Sequence, residues 1–264
     1  MVGASRGAGA AVRTLFDHHI HTDRSDGRIS LADRGATAAS LRHGVSDHFP
    51  YRASLQTDDD VLRYQDDAAR LGMRVGLEYD LGVAPRLLPA TRSTLDYLIG
   101  SVHQVHLHGE RIGYDRAGAF LKGLGSYSEQ ARFAGDADLQ RHVLEEHLRL
   151  VEEGISQIGI DIVGHPTLSP LAAIGDPEVG YPVEWQHRLI ALCVAADVAI
   201  EVNETYGVPH QAFLVRARAA GARFSVGSDA HGPLTDLSRT EAMIDAAALP
   251  RDRFLDGQRV RRPL

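Results

Sequence analysis

Apolar positions recur along the chain at two different periods. Short apolar or β-branched runs fit strands buried on both faces. They fall at Leu15–His21, Val45–His48, Arg74–Tyr79, Tyr97–His103, Ile160–His165, Val198–Asn203 and Arg223–Ser228. Segments with helical spacing and recognisable ends lie between them. Ser30 is placed to cap a helix reaching His43, with Gly44 as its stop. Thr57 and Asp60 predict a capping box ahead of Val61–Leu71, closed by Gly72. Asp136 or Asp138 predicts the start of the longest helix, which runs to Glu153 and stops at Gly154. Pro182 opens a helix carrying Trp185, Leu189, Leu192 and Cys193, and Pro209 opens another that ends near Gly221.

Strands alternating with helical crossovers predict an α/β fold, either an open parallel sheet or a closed barrel. The polar residues favour the barrel. Nearly every predicted strand ends in His, Asp, Glu or Asn: His19 and His21, Asp47 and His48, Glu78, His103, His165, Glu201 and Asn203, Asp229 and His231. Barrel active sites sit at the carboxyl ends of the strands, so these side chains are expected to converge on one mouth.

Composition narrows the class. The chain has 264 residues, 44% apolar and 24% charged, which excludes a disordered or fibrous protein. No run of 18 apolar residues exists, so a membrane span is not expected. Residues 1–14 are rich in Gly and Ala and lack the apolar core of a secretory signal. They are read as a disordered lead-in to a single domain at 15–264, in a cytoplasmic protein. The net charge of −7 disfavours non-specific nucleic-acid binding, because a phosphate backbone needs a basic face. Cys193 cannot form an internal disulfide and reads as a small buried hydrophobe. Lysine occurs once, at Lys122, whereas histidine occurs 14 times. That excess calls for a chemical reason.

His19 and His21 are two residues apart, so on a strand both face one side. Asp229 and His231 repeat the spacing with a carboxylate. With Asp26, His48, Glu78, His103 and His165 they form a set of six imidazoles and three carboxylates. Mixed imidazole and carboxylate donors suit Zn, Mn or Fe rather than Mg or Ca. Nine donors are too many for one ion and enough for two or three divalent ions sharing a carboxylate.

At these residues the chain resembles the PHP (polymerase and histidinol phosphatase) family. The matching segments are DHHIHTDRSDG at 17–27, GVSDHFP at 44–50, GLEYD at 76–80, DYLIGSVHQVH at 96–106, DIVGHPTL at 161–168, AIEVNETYG at 199–207 and GSDAH at 227–231. Within the family they are most similar to the free-standing histidinol-phosphatase branch. The resemblance implies a distorted (β/α)7 barrel holding three ions. It assigns His19, His21, Glu78 and Asp229 to the first ion. Glu78 would bridge to a second held by His103 and His165, and Asp26, His48 and His231 would hold the third. In that branch a basic residue tends to follow the strand like Ala199–Asn203, but Glu204–Pro209 has none. Pro166–Ser169 likewise lacks the charged residues often found there.

The remaining candidates lie around the expected mouth. Arginine clamps phosphate with two parallel donors. Arg24 and Arg52 adjoin ligand motifs and are the first choices for substrate contacts, ahead of Arg28, Arg86 and Arg116. Glu201 and Asn203 are expected to support the site or touch substrate. Asp47 is expected to orient a ligand histidine or relay a proton, and His106 to sit at the mouth as a second relay candidate. His18 should point away from its neighbours, and His142, His147 and His187 should pack or be solvated on helices. The segment from Leu107 to Asp136, with Tyr114, Phe120, Tyr127 and Phe133, is a loop or short helix that could cover the mouth.

Together these residues predict a metal-dependent phosphoesterase acting on a small phosphorylated substrate, with a metal-bridging hydroxide as nucleophile. L-histidinol phosphate is the leading substrate. The alternatives are a PHP-type hydrolase of nucleotides or oligonucleotide ends and a non-catalytic metal-binding module.

Overall fold

Six of the seven expected strand segments pair into one parallel sheet in the computed structural model, which describes residues 15–52 and 54–258. The lead-in expected at 1–14 lies outside the described residues. The strands are β1 (Val45–Phe49), β2 (Val75–Asp80), β3 (Ile99–Ser101), β4 (Gln104–Leu107), β5 (Glu110–Gly113), β6 (Ile162–Val163), β7 (Ala199–Asn203) and β8 (Arg223–Gly227). The sheet runs β1-β2-β3-β6-β7-β8, while β4 and β5 form a separate antiparallel hairpin. Every strand in the sheet is buried or nearly so, which explains the continuous apolar runs.

The seventh segment, 15–21, is not a regular strand. It makes isolated parallel bridges from Asp17 to both His43 and Val226, and from Ile20 to Ala230. His18 N donates to Val226 O, and Ser46 N donates to Ile20 O. The segment therefore spans the gap between edge strands β1 and β8 and closes the sheet into a distorted barrel. Side chains replace part of its ladder: His19 N donates to Asp17 Oδ1 at 3.2 Å, and Ile20 N to Ser46 Oγ at 3.2 Å. Borrowed side-chain acceptors free this stave from strict strand geometry.

Helix starts match their sequence signals better than helix ends. Ser30 caps Leu31–Leu41, Thr57 and Asp60 complete the capping box of Asp58–Arg70, and Asp136 caps Ala137–Glu153. Gly44 is not the stop of the first helix, whereas the α-helix from Ala137 does end at Glu153 with Gly154 as its C-cap. The first helix ends at a left-handed Arg42, and the third continues as one π-helical turn, Gly154–Ile158, to a left-handed Gly159. A short apolar cluster of Tyr97, Ile99, Ile162, Ala199 and Leu255 is distinct from the main core formed where helices cover the sheet. Ile99, Ile162 and Ala199 share one register row, so this cluster lines the barrel interior beneath the polar strand ends.

The segment 107–136 begins at the last residue of β4 and contains β5 and the helices Asp115–Leu121 and Gln130–Gly135. Tyr114, Tyr127 and Phe133 are buried in the main core. Packing thus accounts for these aromatics. Cys193 is buried, as expected. Among the described residues no helix is long and apolar enough to cross a membrane.

Candidate metal centre

The strand register sets the site. His48 on β1 pairs with Glu78 on β2, and neighbouring residues of a parallel sheet in register face the same side. Glu78 lies at the middle and is buried. Its two oxygens face different groups. Oε2 lies 3.2 Å from His19 Nε2, 3.5 Å from His21 Nε2 and 2.8 Å from His48 Nδ1. Oε1 lies 3.1 Å from His103 Nε2 and 3.0 Å from His165 Nε2. Asp229 Oδ1 adds a contact of 3.2 Å to His21 Nε2. Asp26 meets His231 Nε2 at 3.2 Å and His48 Nε2 at 3.6 Å. The nine sequence-selected residues thus form one connected network.

Three subsets could each hold an ion: His19, His21 and Asp229; His48, Glu78 and His103; and His21, Asp26, His48 and His231. Their donor atoms lie within 4.8 Å of one another. His19 Nε2 and Glu78 Oε2 are buried, 3.2 Å apart, and have no hydrogen-bond partner. A buried donor atom left bare is costly unless something coordinates it. The set suits a cation of the Zn, Mn or Fe type.

Groups behind the imidazoles set their tautomers. His19 Nδ1 donates to Glu201 Oε1 at 2.7 Å, which leaves Nε2 as the ring atom facing Glu78 and free to take an ion. His231 Nδ1 donates to the Asp229 carbonyl at 2.9 Å, and its Nε2 faces Asp26. His103 Nδ1 lies 3.4 Å from Asp80. Burial alone would push the Glu78 carboxyl up, but His19, His48 and His103 hold it well below the usual range. Burial opposes the Asp229 charge in the same way, and His19 and His21 outweigh it. Burial would lower His19, yet Glu78, Glu201 and Asp229 raise it. Burial, with His48 and His231 nearby, lowers His21 to about 4. The backbone is strained at two of these positions: His165 has φ 25° and Asp229 φ 54°. Such non-glycine geometry costs about 1–3 kcal/mol and is typical of functional sites.

The other expected residues divide. Glu201 is fully buried behind the site, where it accepts from His19 Nδ1, from His165 N at 2.6 Å and from Asn203 Nδ2 at 3.1 Å. Its oxygens are engaged by the protein. Gly227 makes room for it, since a Cβ there would lie 1.9 Å from Glu201 Oε1. Asp47 accepts from Thr22 N, Thr22 Oγ1 and Ser25 Oγ at 2.5–2.8 Å. Ser25 Oγ is also 3.4 Å from His21 Nδ1, so Asp47 reaches His21 through one hydroxyl. Arg24 turns away to pair with Asp67 at 2.7 Å. Arg52 lies over the Tyr51 ring, 5.2 Å from its centroid, and Tyr51 stacks on His48. His106 is exposed on the hairpin, and no hydrogen bond, ion pair or ring contact joins it to the cluster among the described residues. His147 packs between Tyr114 and Trp185, and His18 against Phe16 and Tyr97.

Arg34 escaped the sequence reading. Its buried guanidinium donates to the carbonyls of His21, Ala230 and Gly232 at 2.7–3.3 Å, tying together the loops after His21 and Asp229. A signal was available: Leu31, Arg34 and Ala38 are the buried positions of one helix, so a charge sits on its apolar stripe. Tyr206 also went unnoticed. Its ring meets that of His165 edge-on at 5.9 Å.

A PHP domain family model matches residues 17–205. No curated protein matches the chain by sequence. Two solved structures share its fold. One is the hisK protein of Listeria monocytogenes, provisionally described as a histidinol phosphatase: 18% identical, TM-score 0.62, covering 86% of this chain and 98% of that one. The other is a histidinol phosphate phosphatase of Lactococcus lactis, complexed with Zn, L-histidinol and phosphate. It is 15% identical with a TM-score of 0.54, covering 90% of this chain and 95% of that one.

Proposed function

The chain belongs to the PHP domain family, and from that premise we propose that it is a metal-dependent phosphomonoesterase of a small metabolite. The observation that carries this reading is Glu78, whose Oε2 faces His19, His21 and His48 while its Oε1 faces His103 and His165, so that it could serve two ions. His19, His21, Glu78 and Asp229 would hold one divalent ion. Glu78, His103 and His165 would hold a second, and Asp26, His48 and His231 a third. Bound there, such ions supply Lewis acidity for the phosphoryl oxygens and an activated water near neutral pH.

The protein's own groups do the rest. The ionised carboxylates of Glu78, Asp229 and Asp26 offset the charge of the ions. Glu201 keeps His19 in the tautomer that offers Nε2, with Asn203 steadying Glu201 in turn. Asp47 holds the loop carrying Asp26 through Thr22 and Ser25. With Arg24 engaged by Asp67, Arg52 is the better placed of the two expected arginines to meet substrate.

L-histidinol phosphate is the first substrate to test, because the Lactococcus relative was captured with L-histidinol and phosphate. Protein purified without chelators and loaded with Mn or Zn should release phosphate with kcat/KM of about 10⁴–10⁸ M⁻¹s⁻¹. Cleavage of a generic phosphomonoester but not of histidinol phosphate would keep the reaction class and move the substrate. Metal-loaded protein that releases phosphate from no phosphomonoester would overturn the reading.

A further inference from the structure

The inserted segment brings the chain's single lysine to the edge of the metal centre. Lys122 Nζ lies 4.9 Å from the centroid of the Tyr206 ring and 3.4 Å from its hydroxyl. Tyr206 in turn lies edge-on to His165. Its phenol is pushed up first by burial and then by Asp229 and Glu78, which places the ring within the field of the site. The helix Asp115–Leu121 lies flat against Tyr206 because residue 118 is glycine; a Cβ there would be 3.1 Å from the ring. Lys122 follows directly at the end of that helix, so two points of the insertion grip one aromatic ring.

The charge of Lys122 is not neutralised. No carboxylate pairs with it among the described residues, whereas Arg24, Arg116 and Arg132 are all bound to acids. A cation on an aromatic face is held by the ring's quadrupole and keeps its full charge. The loop beneath it, Glu204–Pro209, has no base of its own. Arg239 lies against the same loop, with its Nη1 donating to the carbonyls of Glu204 and Thr205 at 3.2 and 3.1 Å.

We propose that Lys122 is a substrate-binding residue that holds the phosphoryl group of a phosphomonoester from the His165 side of the site, with Tyr206 as its mount. The ligand class is a phosphate dianion, for which a compact ammonium with three donors is suited. This rests on the phosphomonoesterase reading above.

The test uses Mn-loaded full-length protein, as wild type, Lys122→Gln and Lys122→Arg. Inorganic phosphate is titrated by calorimetry, and hydrolysis of para-nitrophenyl phosphate is followed in parallel. Lys122→Gln should weaken phosphate binding about tenfold or more, the size of a charge-assisted hydrogen bond. KM should rise by a similar factor, and kcat should change less. Lys122→Arg should recover most of both losses. Lys122 is exposed, so thermal midpoints should agree and exclude misfolding as the cause. Unchanged phosphate affinity and KM in Lys122→Gln, with an active wild type, would overturn the Lys122 assignment and leave the proposed function standing. A wild type that neither binds phosphate nor turns over would overturn both.

Discussion

Single side chains in this protein act in pairs of opposite duty, one atom toward the cluster and one toward its support. His19 shows it best, with Nδ1 on Glu201 and Nε2 facing Glu78. Replacing both His19 and His21 with Ala should abolish metal-dependent turnover while circular dichroism shows an intact fold; full activity in the double variant would exclude the site. Glu201→Gln keeps the shape but removes the charge that fixes the His19 tautomer. It should lower metal affinity about 10- to 100-fold, as losses behind a ligand histidine do, read by competition with a chelating dye. The clustered histidines and carboxylates were legible in the sequence because their spacing and strand-end positions repeat. Glu201 was visible only as a residue facing the pocket. Its bonds to His19 and His165 join β7 to distant parts of the chain, and no local pattern records that.

Elements meet through buried polar ties as well as apolar faces. Asp161, just ahead of β6, accepts from Arg92 Nη2 at 2.5 Å and from Leu98 N at 2.8 Å, stitching three segments beneath the barrel. Asp161→Ala leaves a nearly buried guanidinium without its anion and should cost about 3–5 kcal/mol, measured as a drop in urea-unfolding stability. Helix starts were readable, since Ser30, Thr57 and Asp136 carry the caps. Helix ends were readable only in part: left-handed Gly72 and Gly221 close their helices as expected. Arg42 occupies a left-handed position usually given to glycine, and Gly154 serves close packing against Leu81, where a Cβ would lie 2.7 Å away. The irregular stave 15–21 was expected as an ordinary strand because its apolar alternation is strand-like. The acceptors on Asp17 and Ser46 that replace its ladder are a tertiary matter.

The whole molecule carries a dense group of charges whose balance depends on pH and on bound ions. Burial, with His165 nearby, lowers the pKa of His147 to about 3. The unfolded chain therefore takes up this proton first, so stability falls as pH drops from about 6.5 toward 3 and levels off below. Between pH 7 and 5 the linkage amounts to about 2 kcal/mol. His147→Gln should lose less stability over that interval than wild type in paired urea titrations. Divalent ions that bind only the folded site should raise the thermal midpoint by mass action. EDTA should reverse the gain; a midpoint indifferent to both would argue against a coordinating site.

By itself, the sequence determined the parts that depend on short-range order. These are six of the barrel's strands, the helix starts, and the polar residues of the cluster, eight at strand ends and Asp26 in a loop. Periodicity, caps and i, i+2 spacing are local, so they can be read from a linear chain. The tertiary structure alone decided which atom faces which. It set Glu78 between two groups of histidines, placed Arg34 across the loops after His21 and Asp229, turned Arg24 to Asp67 and carried Lys122 onto Tyr206. These contacts join residues far apart in sequence, and their partners are chosen by barrel closure and by the need to satisfy every buried polar group.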